Sequence, residues 1–404
     1  MRRNIIIGLG ILLGLIIVGV VIYFLFFAGR GGTVQVGDPT NPFGTAGQYQ
    51  GQGEAPPVGE PQVGAGTEIL PTFVKISDGP VAEGIFIQSV SQAGVVTSTS
   101  TASLPGSDDI EVRYVERASG NVYSYKMRAR TLTRLTNQTV PGVHEAHWSL
   151  DGSRVFLRLF SREEKQVETY SLPLEGDEVY FMEDGISGLV VSDDLLTLRS
   201  DATGSVATLA SVEGLNPRTL FTSLLSSLII KKAGEGYLVH TKASAHSDGY
   251  GFLVSPSGAL DRLLGPARGL TLLPSPSGAQ VLYSHVASGR TAQLSLLTVD
   301  TRETTSLPAN TLTEKCAWVG ETLIYCAVPT SLTGDLPDAW YQGAVSFTDR
   351  IWLIDLEART ASLEFDPKTV ADIDIDATSL AVDPYADALV FVNRKDGSLW
   401  LYNL

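Results

Sequence analysis

The sequence predicts an all-β fold, a seven-bladed β-propeller that follows a single N-terminal transmembrane helix. Three observations predict it: short apolar stretches broken by turn residues, their recurrence at a period of about 40–45 residues, and one uncharged apolar run at the N-terminus. Helical periodicity is nearly absent from the rest of the chain. The 404 residues are 44% apolar, which is enough for one large closed repeat with a buried core.

The repeat unit is clearest at Ala146–Phe160, where an apolar run stops, turns at Asp151–Gly152 and resumes. Two short apolar stretches around a turn recur along the chain, with turns near residues 89, 149, 192, 232, 275, 319 and 383. Five successive turns, from residue 149 to residue 319, are separated by 43, 40, 43 and 44 residues, a spacing typical of four-stranded propeller blades. Six blades are the alternative, if the weakest unit, near Lys232, is not independent.

The end of the chain predicts how the ring closes. The last unit offers three strands, Leu380–Val382, Ala388–Val392 and Ser398–Tyr402. Residues 72–77 resemble the segment that ends an earlier unit, and we expect them to supply the missing fourth strand. That pairing would close a propeller domain over residues 70–404 and leave fewer exposed strand edges.

The N-terminus predicts a membrane anchor in residues 1–28. No charged residue occurs in Ile5–Ala28, and this length spans a hydrocarbon core of ~30 Å. Because Arg2 and Arg3 precede it, we expect a cytoplasmic N-terminus and a propeller outside the cytoplasm. A cleaved signal peptide is disfavoured, since its apolar region is only about 7–15 residues. Residues 29–69 are rich in Gly, Pro and Gln and predict a flexible linker.

The repeats resemble those of a known group of proteins. Trp148–Leu157 and Pro274–Tyr283 are similar to the TolB-like and WD40-like propeller repeats of bacterial envelope proteins. Ile110–Tyr125, Lys315–Pro329 and Asp338–Trp352 also resemble uncharacterised membrane-anchored propellers of that group. The resemblance covers about Leu70 to Leu404 and implies the fold but no function. The TolB role with a lipoprotein partner is not implied, because this chain has an anchor and extra insertions.

The net charge of the chain and its lack of catalytic motifs limit the classes of function that the sequence supports. A net charge of −15 argues against a nucleic-acid partner. The sequence has no G-x-S-x-G, no P-loop and no dinucleotide fingerprint between a strand and a helix. We therefore expect no enzyme and no cofactor, but a non-catalytic binding or scaffold module for envelope proteins or wall polymers. The alternatives are a propeller enzyme with a metal-assisted site at the channel mouth, and a sensor of a small ligand.

The insertion Pro329–Arg350 supplies the candidate partner-binding residues. It carries Trp340, Tyr341 and Phe347 together with Asp338, and exposed aromatic side chains with a polar rim form interaction patches. The alternative is that the aromatic side chains fold back and fill the blade edge or the channel mouth, since large aromatic residues are usually mostly buried.

The two cysteines are predicted to form a disulfide. In the hairpin that contains them, counting outward from the turn places Cys316 opposite Cys326. Directly opposed residues in a non-hydrogen-bonded pair come close enough for a bond, and the anchor places them in a compartment that can be oxidising. The alternative is two small buried apolar side chains.

No metal site is predicted. Asp372, Asp374 and Asp376 begin like a calcium loop, but the later ligand positions of such a loop are missing. His144 and His147 lie three apart on a predicted strand, so they point to opposite faces and do not share an ion.

Overall fold

The computed structural model describes residues 72–90, 109–161, 166–176, 179–286 and 292–404. The predicted anchor and linker lie outside these residues. Within them, no helix is both long and apolar enough to cross a membrane.

In the described part of the chain, 28 strands form seven antiparallel sheets of four strands each. The seven-bladed propeller is confirmed, and the six-bladed alternative is wrong because the unit near Lys232 is a complete blade. The strands of blades 1 to 3 are β2 (Phe86–Val90), β3 (Asp109–Val115), β4 (Val122–Lys126), β5 (Thr131–Arg134), β6 (Val143–Trp148), β7 (Arg154–Ser161), β8 (Gln166–Pro173), β9 (Tyr180–Phe181), β10 (Ile186–Val191), β11 (Asp194–Asp201), β12 (Gly204–Ser211) and β13 (Arg218–Ser223).

Blades 4 to 6 each take four consecutive strands, and blade 7 combines the last three strands with the first. Their strands are β14 (Leu228–Ala233), β15 (Gly236–Thr241), β16 (Asp248–Val254), β17 (Leu260–Arg268), β18 (Thr271–Pro274), β19 (Gln280–Val286), β20 (Ala292–Thr298), β21 (Thr304–Ser306), β22 (Cys316–Val319), β23 (Leu323–Pro329), β24 (Asp349–Asp355), β25 (Thr360–Phe365), β26 (Ala377–Val382), β27 (Ala388–Asn393), β28 (Ser398–Asn403) and β1 (Phe73–Lys75).

Apolar side chains fill the space between neighbouring blades. A blade is sandwiched by two others, so both faces of its inner strands are buried, and seven apolar clusters lie at the seven junctions. At the closing junction, Val390 and Leu399 of blade 7 pack with Ile110 and Val112 of blade 1. Full burial of such a side chain contributes about 1.5–3 kcal/mol to folding.

The ring closes through β1. Phe73 pairs with Tyr402 and Lys75 with Trp400, and the Phe73 ring stacks on Trp400 with 4.7 Å between centroids. The first strand of blade 1, β2, also contacts the first strand of blade 7, β26. The segment on the N-terminal side of the repeats is therefore the outer strand of the last blade.

One end of the ring carries most of the long connections, and we call it the upper end. Because strands alternate in direction, the loops from second to third strands and the connections between blades share this end. It carries helix α1 (Asp338–Tyr341), helix α2 (Pro367–Ala371) and a 3₁₀ turn, Thr313–Lys315, in the connection from blade 5 to blade 6.

Candidate functional site

The aromatic residues of the insertion face inward. Trp340 is 4% exposed and Phe347 is 3% exposed, and both pack with Leu312 and Leu336. The expectation of an exposed patch is thus corrected, and the alternative, that the aromatic side chains fold back onto the ring, is what the structure shows. The indole nitrogen of Trp340 donates to both carboxylate oxygens of Asp376, at 3.1 and 3.2 Å, so burial leaves no unpaired donor.

A buried lysine holds the insertion in place. The Lys315 ammonium lies 2.7 Å from Asp349 Oδ2 and 2.7 Å from Asp376 Oδ1, and solvent reaches none of the three side chains. Burial raises the pKa of Asp349 to about 6. Burial acts in the same direction on Asp376, but Lys315 and the hydrogen bonds donated by Trp340 and by the Phe347 amide outweigh it and hold that pKa below its usual value.

The three aspartates that begin like a calcium loop do not meet at one point. Asp376 belongs to the buried lysine network, whereas Asp372 and Asp374 face Lys368 at 2.8 and 3.7 Å on the surface. Within the described residues, no three His, Cys, Asp or Glu side chains are arranged to hold a metal ion.

The insertion spans several blades across the upper end. Asp338 accepts a hydrogen bond from the backbone amide of Ala245 in blade 4, at 2.6 Å. The carbonyl of Tyr341 accepts one from Arg394 of blade 7, at 3.3 Å. The insertion starts from blade 6, so it bridges blades 4 and 7 above the ring.

The two cysteines are bonded to each other. Cys316 and Cys326 are paired across β22 and β23, with 2.10 Å between the sulfurs. The bond joins the first two strands of blade 6 directly after Lys315.

A cavity of about 400 Å³ opens at the upper end of the central channel. Blades 1, 4, 5, 6 and 7 and the insertion all contribute to its wall, which places it near the ring axis. Its lining residues are Glu83, Lys231, Leu273, Thr313, Glu314, Cys316, Trp340, Tyr341, Thr378, Ser379, Leu380 and Arg394. A larger cavity of about 710 Å³ is lined only by blade 3 and its loops, among them Arg199, which forms an ion pair with Glu183.

Two cations face the channel cavity. The guanidinium of Arg394 lies over the Trp340 ring, 4.7 Å from its centroid, and this stacking fixes its direction. Lys231 projects from β14 and donates to the carbonyl of Leu272 at 2.8 Å. Burial lowers the pKa of Lys231, and the charge of Glu314 opposes that change.

Glu83, which lines another side of the cavity, stands next to a second carboxylate, Glu145 of strand β6. Glu83 forms a parallel bridge with Glu145, with backbone hydrogen bonds of 2.8 and 2.7 Å on either side. Glu83 is exposed to the solvent of the cavity, but partial desolvation by the channel walls and the charge of Glu145 raise its pKa. Burial also acts to raise the pKa of Glu145, but His147 and Arg158 outweigh it and lower that pKa to about 2.

Strained backbone shapes one wall of the cavity. Ser379 has a φ of 52°, and the pairing of β26 with β27 shifts register between Thr378 and Ala381. A β-bulge with a non-glycine residue in the left-handed region is a feature that concentrates at functional sites.

Sequence reasoning singled out Trp340, Tyr341 and Cys316 of the cavity lining but did not find its charged residues. Glu83, Lys231, Glu314 and Arg394 are spread over most of the propeller sequence and form no motif. The one available signal is their position in the repeat: each lies in a first strand or in a connection at the upper end, where the seven blades converge.

Comparisons with known proteins show the fold. No family model and no curated protein matches the sequence. An oligogalacturonate lyase from Vibrio parahaemolyticus is similar, with a TM-score of 0.52 at 10% identity over 80% of this chain and 98% of that chain. An oligogalacturonate lyase in complex with manganese has a TM-score of 0.48 at 12% identity, covering 73% of this chain and 86% of that one. The propeller domain of the trilobed protease from Pyrococcus furiosus has a TM-score of 0.49 at 9% identity, covering 73% of this chain and 91% of that one.

The likeness to the Vibrio protein corrects the expectation of a non-catalytic scaffold. That expectation depended on the lack of a catalytic motif or a recognisable hydrolase domain. The Vibrio lyase shares the propeller fold over 98% of its own chain, so a propeller of this size can be an enzyme without a further domain. Membership of the TolB-like group stays a prediction.

Proposed function

We propose that this chain is a propeller enzyme whose site is the channel cavity, and that it cleaves oligosaccharides of uronic acids by β-elimination. One observation carries the proposal: two cations, Lys231 and Arg394, line the same cavity as two carboxylates, Glu83 and Glu314. Converging acids and bases of this kind in a concave site are typical of active sites. The fold likeness to the Vibrio lyase supplies the substrate class to test first.

The proposed role of Arg394 is to bind the substrate carboxylate. A guanidinium forms two parallel hydrogen bonds with a carboxylate, and stacking on Trp340 orients it before the substrate arrives. Binding of the carboxylate by a cation also makes the adjacent C–H bond more acidic, because the charge that develops on the carboxylate during proton loss is neutralised.

The proposed role of Lys231 is to remove that proton. Because burial lowers its pKa, a larger fraction of its amine is neutral near pH 7 than for an exposed lysine. The C–H proton goes to the amine, its electron pair forms a carbon–carbon double bond, and the glycosidic C–O bond breaks. The leaving oxygen takes a proton from the site, so the reaction needs neither an oxidant nor a water molecule.

Turnover of oligogalacturonates tests the proposal. The conjugated double bond of the product absorbs ultraviolet light, so the formation of product is followed continuously by absorbance. We expect Arg394→Ala and Lys231→Met to lower kcat/KM by about 10²-fold or more, because each removes a group that acts in the transition state. The control, Arg199→Ala, removes a half-exposed arginine of blade 3 and should leave kcat/KM unchanged. Wild-type rates in Arg394→Ala would exclude the assigned site.

We also propose that the enzyme works outside the cytoplasm and is tethered by residues 1–28. The uncharged run Ile5–Ala28 after Arg2 and Arg3 supports this, as does the disulfide, since such bonds persist in oxidising compartments. A C-terminal reporter that is active only after export tests the orientation: activity supports it, and a reporter confined to the cytoplasm excludes it.

A further inference from the structure

We propose that Glu83 is the proton donor of the channel site and that Glu145 is the positioning residue that keeps the proton on Glu83. This inference rests on the proposed function and deepens it, since it assigns the group that protonates the leaving oxygen. Its basis is geometric: Glu83 lines the cavity, and Glu145 is its bridge partner on the adjacent strand β6.

The backbone holds the two carboxylates side by side. The Glu83 amide donates to the carbonyl of His144 at 2.8 Å, and the Ala146 amide donates to the carbonyl of Glu83 at 2.7 Å. Residues bridged in this way point their side chains to the same face, with their Cβ atoms about 5 Å apart. The connection into blade 1 therefore brings Glu83 next to a residue of blade 2.

Two side chains, Arg158 and His147, hold Glu145 in its ionised form. Arg158 donates to it, and Arg158 is itself buried and held by a second hydrogen bond to the Ile186 carbonyl at 2.8 Å. His147 lies 3.2 Å from the same carboxylate oxygen. A carboxylate with two such partners retains its negative charge, and the pKa of Glu145 is lowered to about 2.

Among the residues that the structure describes, no side chain forms such a hydrogen bond with Glu83, and its charged neighbours are of both signs. Glu145 and Glu314 are negative neighbours, whereas Arg394 and Arg117 are positive ones. The guanidinium of Arg117 also donates to Nδ1 of His144, 2.7 Å away. Partial desolvation by the channel walls and the close charge of Glu145 outweigh the positive neighbours, so the pKa of Glu83 is raised. When the pKa values of two neighbouring carboxyl groups are driven apart, the group with the raised pKa can donate a proton and the other stays ionised.

The proton balance of the step is complete. The O–H bond of Glu83 breaks and its proton goes to the leaving glycosidic oxygen, while the amine of Lys231 gains the proton of the substrate C–H bond. After the product leaves, the Lys231 ammonium gives up its proton to solvent and the Glu83 carboxylate takes one up. No cofactor or co-reactant enters the cycle.

The pair is tested without turnover by following the carboxyl carbons of labelled glutamates by NMR across a pH titration of the full chain. Glu83→Gln assigns the Glu83 signal. We expect Glu145→Gln to lower the Glu83 midpoint by about one pH unit, because a like charge is removed. Arg117→Gln should raise it, because an opposite charge is removed, and this second variant keeps the test valid should Glu145→Gln fold poorly. The matched control, Glu183→Gln on the blade 3 surface, should leave it unchanged.

Turnover then separates the two proposals. Glu83→Gln should lower kcat on oligogalacturonates by about 10²–10⁴-fold with little change in KM. Because the step needs a protonated Glu83, Glu145→Gln should lower kcat at pH values above the Glu83 midpoint. An unshifted Glu83 midpoint in both Glu145→Gln and Arg117→Gln overturns the assigned pair, even if the enzyme turns over. Shifted midpoints without turnover support the pair and overturn the substrate class.

Discussion

Lys315 and Asp376 form an ion pair that solvent does not reach. The ammonium lies 2.7 Å from the carboxylate, and both side chains are 0% exposed. The same carboxylate accepts from the indole of Trp340, which in turn lies beneath Arg394. A fully buried network therefore supports the wall of the channel cavity, so variants within it should affect both stability and the site.

Lys315→Met should be strongly destabilising. It leaves Asp349 and Asp376 buried without their cation, and breaking a buried pair in this way costs about 3–5 kcal/mol. Urea unfolding measures the loss. Lys368→Met, which removes an exposed partner of Asp372, is the control and should change stability by less than about 0.5 kcal/mol.

Asp349 should make the free energy of unfolding fall as pH rises, the opposite of the usual effect of an aspartate in an ion pair. Burial raises its pKa in the folded protein from 3.8 to about 6, so its stabilising contribution is full below about pH 4 and is lost as pH rises through about 6. At 1.36 kcal/mol per unit, the loss is at most about 3 kcal/mol. Asp349→Asn should therefore gain stability relative to wild type between about pH 4 and 7. A constant difference across that range would contradict the assignment.

Trp340→Ala should cost about 3–5 kcal/mol, the usual range for removal of a buried large aromatic side chain. Denaturant unfolding measures it, with Tyr385→Ala as the control, because Tyr385 is 71% exposed. Equal effects of the two substitutions would show that the Trp340 side chain is not buried.

Reduction of the Cys316–Cys326 bond should lower stability by about 3 kcal/mol, the chain-entropy value for a loop of ten residues. Unfolding with and without a reductant measures the difference. The variant in which both cysteines are alanine should not respond to the reductant, and a wild-type protein equally insensitive would indicate that the thiols are free.

Phe73→Ala should weaken the closure of the ring. Phe73 stacks on Trp400 and also contacts the rings of Phe365 and Phe391, so its loss should cost about 3 kcal/mol. Lys75→Ala, an exposed position on the same strand, is the control. Protection of the amides of β28 from hydrogen exchange should fall in Phe73→Ala and stay unchanged in Lys75→Ala.

The fold was within reach of the sequence because it is repeated. Each blade has its own turn residues and its own alternation of apolar and polar residues. A weak unit, such as the one near Lys232, is therefore still recognised because it lies at the period set by the others. Ring closure follows from the same count, since blade 7 has three strands at the C-terminus and one candidate, residues 72–77, elsewhere.

The site was not within reach. Trp340 looks the same in the sequence whether it is exposed or buried, and its position depends on Lys315 and Asp376, which come from two other segments. Likewise, Glu83 and Glu145 are separated by 62 residues and meet only because one connection crosses to the next blade.

The sequence by itself determined the architecture: seven four-stranded units and the pairing of Cys316 with Cys326, because these depend on local turns and strand register. Only the tertiary structure decided which charges meet in the channel. Contacts at the ring axis join residues distant in the chain, and neither periodicity nor spacing encodes which side chains converge there.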